Sequence, residues 1–277
     1  MHLRRTTASV AVLTALGLSL AACGGGSDDG SDSGSGDSIK IGIKFDQPGL
    51  GLKQGDKYTG FDVDTAKYVA KKLGYDEDQI KWIQAPSPQR ETLIKSGQVK
   101  LIIATYSITP DRAKEVSFAG PYFVAGQSLL VKSGSNIKSV KDVAGKKVCS
   151  VTGSTSVENL KKEQPNLVPQ KFDTYSKCAE ALSNGVIDAM TTDDTILAGY
   201  AAQDAYQGKL ELAGDTFSEE RYGIGLKKGD TALCKKVTSA VKDMIKDGTW
   251  DDLVKKNFGD SYSYNKKLNP PTPDACK

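Results

Sequence analysis

Across 277 residues, 37 lysines and arginines stand against 34 aspartates and glutamates, a balance that gives no case for a nucleic-acid partner. The one histidine is His2, so a chain that loses its first residues has no Ser-His-Asp triad, no Cys-His pair and no histidine-ligated zinc. About 240 residues run from Ile39 onward, enough for one large domain or two smaller ones.

Arg4 and Arg5 precede an apolar run from Ala8 to Leu20 that closes in LAAC at Leu20 to Cys23. The run is too short to span a membrane and reads as a secretion signal over residues 1–22. Small residues directly before a cysteine resemble a bacterial lipobox, which implies cleavage before Cys23 and diacylglycerol on its sulfur. Cleavage there takes Arg4 and Arg5 away and lowers the net charge from +3 to +1. Residues 23–38 hold a Gly, Ser and Asp stretch that can bury nothing, a flexible tether between anchor and domain.

From Ile39 the chain alternates. IKIGI reads as a strand, and FDVDTAKYVAKKLG as a helix with Val63, Ala66, Val69, Ala70 and Leu73 on one face and Gly74 as its stop. IKWI is a strand, QRETLIKSG a helix, LIIA an apolar strand of the kind found inside a parallel sheet, and QSLLVK another strand. The pattern then restarts: strand KKVCSV, helices TSVENLKKE and YSKCAEALSNG, strand VIDAMTT, helix DTILAGYAAQ, strand RYGIGLKK. Two helices follow, ALCKKVTSAVKDMIKDG and WDDLVKKNF. Such alternation predicts an α/β fold with mostly parallel sheets, and the restart predicts two lobes.

The cysteines after Cys23 are Cys149, Cys178, Cys234 and Cys276, with no CxxC among them, which argues against a metal site and for two disulfides in an exported chain. Of three pairings, Cys149–Cys178 and Cys234–Cys276 are favoured. The first ties a strand to a nearby helix; the second fastens the proline-rich tail to the body.

Ligands in open α/β sheets bind beyond the carboxyl ends of strands, which selects three loops. In TYSITPDR, the Arg112 fork suits a carboxylate, with Ser107 and Thr109 hydroxyls nearby; alternatively Arg112 pairs on the surface with Asp111 or Glu115. In SVTGSTSVEN, Gly153, Ser154 and Thr155 open a helix and offer an anion its free N–H groups, or merely cap it. In AMTTDD, Thr192 and Asp193 end a strand; Asp193 is either a helix cap or the receiver of an ammonium group. Together the loops complement a free amino acid, and no nucleophile or base accompanies them.

The stretches YTGFDVDTAKYVAKKLG, RETLIKSGQVKLIIATYSITPDR, VSFAGPYF, VAGKKV, GSTS, VIDAMTTDD and YGIGLKKGD occur in that order. With them the chain resembles solute-binding protein family 3, the polar amino acid receptors of ABC importers, over most of residues 39–260. KFDQPGLGL, APSPQRETLI, ATYSI and DAMTTD, with Cys149 and Cys178, are more closely similar to glutamate-binding lipoproteins of actinobacterial importers. The resemblance implies the two-lobed periplasmic-binding-protein type II fold. Residues 39–128 and 224–277 would form lobe 1 and residues 129–223 lobe 2, with crossovers near Ser128 to Lys132 and Arg221 to Leu226. It implies a lipid-anchored, monomeric receptor without cofactor, on the outer face of the cell membrane, that closes on its ligand and docks on an ABC permease and its ATPase. By the same resemblance Arg112 clamps the α-carboxylate with Ser107 and the Thr105 backbone, Asp193 takes the α-ammonium, and Ser154 and Thr155 approach from lobe 2. Glutamine-binding members tend to carry an aspartate at the position of Lys44 and a histidine at that of Thr192. Acidic amino acid binders carry basic residues matching Lys44 and Arg90, which points to glutamate. The alternative for Arg90 is a solvated helix-face charge beside Glu91. The alternatives are a sensory receptor for a membrane kinase and a dehydratase-like enzyme on the same fold.

Overall fold

A computed structural model describes residues 38–259 and 262–276. His2, Cys23, the signal and nearly all of the tether lie outside the described residues. The strands and helices, in chain order, are β1 (Ile39–Ile43), β2 (Asp46–Gln47), β3 (Gly51–Gln54), β4 (Lys57–Thr59), α1 (Phe61–Lys72), β5 (Ile80–Gln84), α2 (Arg90–Lys95), β6 (Leu101–Ile102), α3 (Pro110–Glu115) and β7 (Ser117–Ala125). The second half begins with β8 (Gln127–Lys132), β9 (Val148–Val151), α4 (Thr155–Glu163), β10 (Gln170–Phe172), α5 (Tyr175–Ser183), β11 (Ala189–Asp193), α6 (Asp194–Ala201) and β12 (Leu210–Ala213). The chain returns through β13 (Glu220–Leu226) and closes with α7 (Thr231–Lys246) and α8 (Thr249–Phe258).

Two five-stranded sheets organise two lobes. The first has the order β5-β1-β6-β13-β7, the second β10-β9-β11-β8-β12; β2, β3 and β4 form a small third sheet. Neither large sheet is mostly parallel. β1 runs parallel to β5 and β6, and β9 to β10 and β11, but β13 is antiparallel to both its neighbours and so is β8. The antiparallel members are the strands at which the chain leaves one sheet and returns to it.

Pairing also locates the crossings. β7 ends in the first sheet at Ala125 and β8 starts in the second at Gln127, so the outward crossing is Gly126 alone. The return lies between Ala213 and Glu220. The expected seams at 128/129 and 223/224, and the crossovers expected inside β8 and β13, therefore fall within strands that each belong whole to one sheet. Strand β7 itself was not expected. Gly120 and Pro121 sit in its middle, a dipeptide that ordinarily marks a turn; here it occupies a register shift opposite Tyr222 and Ile224.

The first lobe's core gathers around Trp250 of α8, whose Nε1 donates to the Tyr122 carbonyl at 2.7 Å, with Phe61 and Phe123 against it. Both favoured disulfides are present, Cys149 to Cys178 joining β9 to α5 and Cys234 to Cys276 joining α7 to the tail. Each closes a loop of tens of residues, for which chain entropy gives about 3–4 kcal/mol. Replacing Cys234 and Cys276 together by alanine is expected to cost about that much in urea unfolding; a loss below about 1 kcal/mol would mean that the tail is already held without the bond.

Candidate functional site

The three loops singled out by the strand-end rule meet where the two lobes face each other. Arg112, in α3, does not pair with either acid considered for it: Asp111 binds Lys114, and Glu115 binds Lys95. Its Nη1 donates to the Ser107 carbonyl at 2.9 Å and its Nη2 to the Gly153 carbonyl of the other lobe at 3.0 Å, while Nε lies 3.7 Å from Glu91. A guanidinium has five N–H donors, so a hydrogen on each Nη remains for a further acceptor.

Arg90 is no solvated charge. It is 2% exposed, with Nη1 on the Ala104 carbonyl and Nε near the Ser87 carbonyl. Its guanidinium lies 4.3 Å from the centre of the Tyr106 ring, and that of Arg112 lies 5.1 Å from the same ring. Two like charges share one aromatic platform, whose hydroxyl is anchored on Glu91 at 2.6 Å. Burial draws the Arg90 guanidinium down to about 10, and Arg112 adds to that.

Lys44 follows β1 and is also 2% exposed. Its ammonium bonds the Ser87 hydroxyl at 3.3 Å and sits 5.9 Å from the Tyr175 ring of the second lobe. Burial lowers it to about 8; Asp46 pulls the other way, and Arg90 and Arg112 push it further down. Lys44, Arg90 and Arg112 thus form one cluster of cations in low dielectric, a place that favours an incoming anion.

Thr105 has a φ of 45°, a left-handed backbone uncommon for a residue other than glycine. Asp62 of α1 holds it there, accepting the Thr105 N–H at 3.0 Å and the Tyr122 hydroxyl at 2.6 Å. Burial raises the Asp62 carboxyl to about 6, against those two hydrogen bonds.

From the second lobe come α4 and β11. Neither Ser154 nor Thr155 caps its helix. Ser154 donates to the Val151 carbonyl at 2.8 Å. The Thr155 hydroxyl donates to Glu220 at 2.8 Å and lies 3.4 Å from the Ser107 hydroxyl across the cleft. Thr192 accepts from Ser156 at 3.2 Å. Asp193 stands at the N-cap position of α6 but makes no capping bond. Its Oδ2 accepts from the Tyr222 hydroxyl at 2.6 Å, and its Oδ1 has no hydrogen-bond partner among the described residues although the side chain is 3% exposed. Burial, then the Glu220 carboxylate, push the Asp193 carboxyl well above its ordinary range. A buried acceptor without a donor is costly, and a cation placed there removes that cost.

Lys44, Arg90, Thr105, Ser107, Arg112, Thr155, Thr192 and Asp193 therefore gather around one cleft, with Ser154 turned back into its own loop. Reading the sequence missed Tyr106, Tyr175, Glu220 and Tyr222. Tyr106 was in view inside TYSITPDR, but nothing local said that it would lie under two arginines. Glu220 and Tyr222 reach the site only because β13 returns beside it.

Bacterial extracellular solute-binding proteins, family 3, match residues 39–260 as a sequence family. The glutamate-binding protein GluB of Corynebacterium glutamicum (strain ATCC 13032) is 42% identical over 94% of this chain and 94% of that protein. The ABC transporter glutamine-binding protein GlnH of Bacillus subtilis (strain 168) is 41% identical over 79% of this chain and 81% of its own length. An ancestral arginine-binding protein bound to glutamine superposes with a TM-score of 0.74 at 37% identity, covering 80% of this chain and 98% of that structure.

Proposed function

The chain belongs to the bacterial extracellular solute-binding proteins, family 3, and on that premise we propose that it is a lipid-anchored receptor that captures glutamate and delivers it to an ABC permease. The observation that carries this reading is the pairing of three cations, buried Lys44 and Arg90 and half-buried Arg112, with one buried, unpartnered carboxylate oxygen across the cleft. Glutamate has the matching charges: two carboxylates and one ammonium.

Arg112 takes the α-carboxylate, with the Ser107 and Thr155 hydroxyls beside it. Asp193 takes the ammonium on Oδ1, its other oxygen being held by Tyr222. Lys44 and Arg90 take the side-chain carboxylate. Residues from both lobes then touch one molecule, so the ligand favours the closed arrangement by its differential affinity for it. Anchoring through Cys23 rests on the LAAC sequence, and delivery to a permease on the family. Calorimetry with glutamate, glutamine, aspartate and asparagine tests the reading: glutamate should bind most tightly, and tighter binding of glutamine would overturn the roles of Lys44 and Arg90.

Lys44 adds a pH signature. A carboxylate beside it favours its protonated form, so binding raises its affinity for the proton. Below its value of about 8 the proton is already present; above it, binding must take one up. The ratio of glutamate to glutamine affinity is expected to hold steady up to about pH 7.5 and then fall by up to about tenfold per unit. Taking the ratio cancels the titration of the α-ammonium and of Asp193, which both ligands share. A ratio that stays flat to about pH 9.5 would remove Lys44 from the site.

A further inference from the structure

Residues away from the proposed ligand contacts also join the lobes. Asp46, on β2 of the first lobe, reaches the start of α5 in the second. Its carboxylate accepts the N–H of Tyr175 at 2.9 Å and that of Ser176 at 3.4 Å. Thr174 accepts the next N–H, from Lys177, so Asp46 completes the cap of a helix that belongs to the other lobe. A negative side chain at a helix N-terminus is favoured by the backbone dipoles as well. The Tyr200 hydroxyl of α6 donates to the Asp46 carbonyl and lies 3.4 Å from its carboxylate.

Two residues further on, the Pro48 carbonyl rests against Gly199, in the body of α6. Gly199 has no positive φ, so its backbone does not call for glycine. Alanine is the better helix former at such a position. What alanine would bring is a Cβ that overlaps the Pro48 carbonyl oxygen. The glycine serves the close approach of the two lobes and nothing else that its surroundings display.

We propose that Asp46 and Pro48 of the first lobe, docked on α5 and Gly199 of α6, form a latch that sets the fraction of closed molecules, and that Asp46 and Gly199 thereby determine amino acid affinity without touching the amino acid. The inference rests on the cleft being an amino acid site that closes by lobe movement. Apparent affinity scales with the population of the binding-competent form. Weakening the latch therefore costs every ligand the same factor, unlike a change at a residue that reads one side chain. Asp46 also faces Lys44, so its replacement alters charge in the cleft; Gly199→Ala alters none and is the cleaner variant.

The experiment uses the full mature protein as wild type, Gly199→Ala and Asp46→Ala, with calorimetry against glutamate and glutamine, thermal melting, and small-angle X-ray scattering with and without saturating amino acid. Gly199→Ala should melt without amino acid no lower than the wild type. It should lose roughly tenfold or more in affinity for both amino acids, by a common factor, and keep a larger radius of gyration than the wild type at equal amino acid concentration. Asp46→Ala should lose affinity for glutamine, whose amide does not depend on the Lys44 charge. Wild-type affinity in Gly199→Ala overturns the proposal, and so does a loss matched by a lower melting temperature, which would make Gly199 a packing residue. If Gly199→Ala does not fold, unchanged glutamine affinity in Asp46→Ala overturns it. Should the wild type bind neither amino acid, the reading of the cleft fails. The latch is then judged by scattering alone, where both variants must be more expanded than the wild type.

Discussion

Arg112→Ala is expected to weaken binding of every amino acid the protein takes, by at least about 30-fold, because truncating one partner of a desolvated charge pair costs about 2–5 kcal/mol. The α-carboxylate is common to all amino acids, so no choice of side chain compensates. The geometry adds to the loss. Arg112 donates to carbonyls on both lobes, Ser107 on its own and Gly153 on the other, and so orders the two walls of the cleft as well as offering its remaining hydrogens. Arg112→Lys keeps the charge and should rescue little, since an ammonium cannot reach two carbonyls and a carboxylate in one plane. Calorimetry decides the matter, with thermal melting to confirm that the variant is folded. Retention of wild-type affinity for any amino acid would refute the clamp.

Arg90→Gln is expected to separate glutamate from glutamine. Loss of the charge that faces the side-chain carboxylate should weaken glutamate by about 30-fold or more, roughly 2 kcal/mol, and leave glutamine within about threefold. Glutamine is chosen as the replacement residue because Arg90 also serves the carbonyls of Ala104 and Ser87, and an amide can still donate to one of them. The change removes one of two like charges from the face of Tyr106, so the apo protein should lose little stability. Equal losses for the two ligands would mean that Arg90 holds the loop and does not read the side chain.

Local rules went far in this chain because they are enforced locally. TSVENLKKE is a helix over the nine residues its pattern marks, and QSLLVK a strand over its six. Both are set by a periodicity that one face of a sheet or helix imposes. The strand-end rule likewise led to Arg112, Thr155 and Asp193, since a parallel sheet presents its carboxyl ends to one side. The same rules failed where a distant partner overrode them. Gly120 and Pro121 announce a turn, yet β7 runs through them because β13 pairs on both sides of the irregularity. The β2, β3 and β4 strands are too short and too exposed to leave a hydrophobic pattern.

What the sequence determined by itself is the chemistry available: an α/β alternation, an inventory of cations and hydroxyls at strand ends, four cysteines in the body, and no histidine beyond position 2. What the tertiary structure decided is which of those groups work together. Arg112 chose two carbonyls over its neighbouring acids, and Thr155 chose Glu220 over its own helix. Asp193 took Tyr222 and left one oxygen bare, and Asp46 capped a helix 129 residues away. The physical reason is desolvation. Once packing excludes water, each polar group must take the partner that the fold brings within about 3 Å, and nearness along the chain no longer ranks the choices.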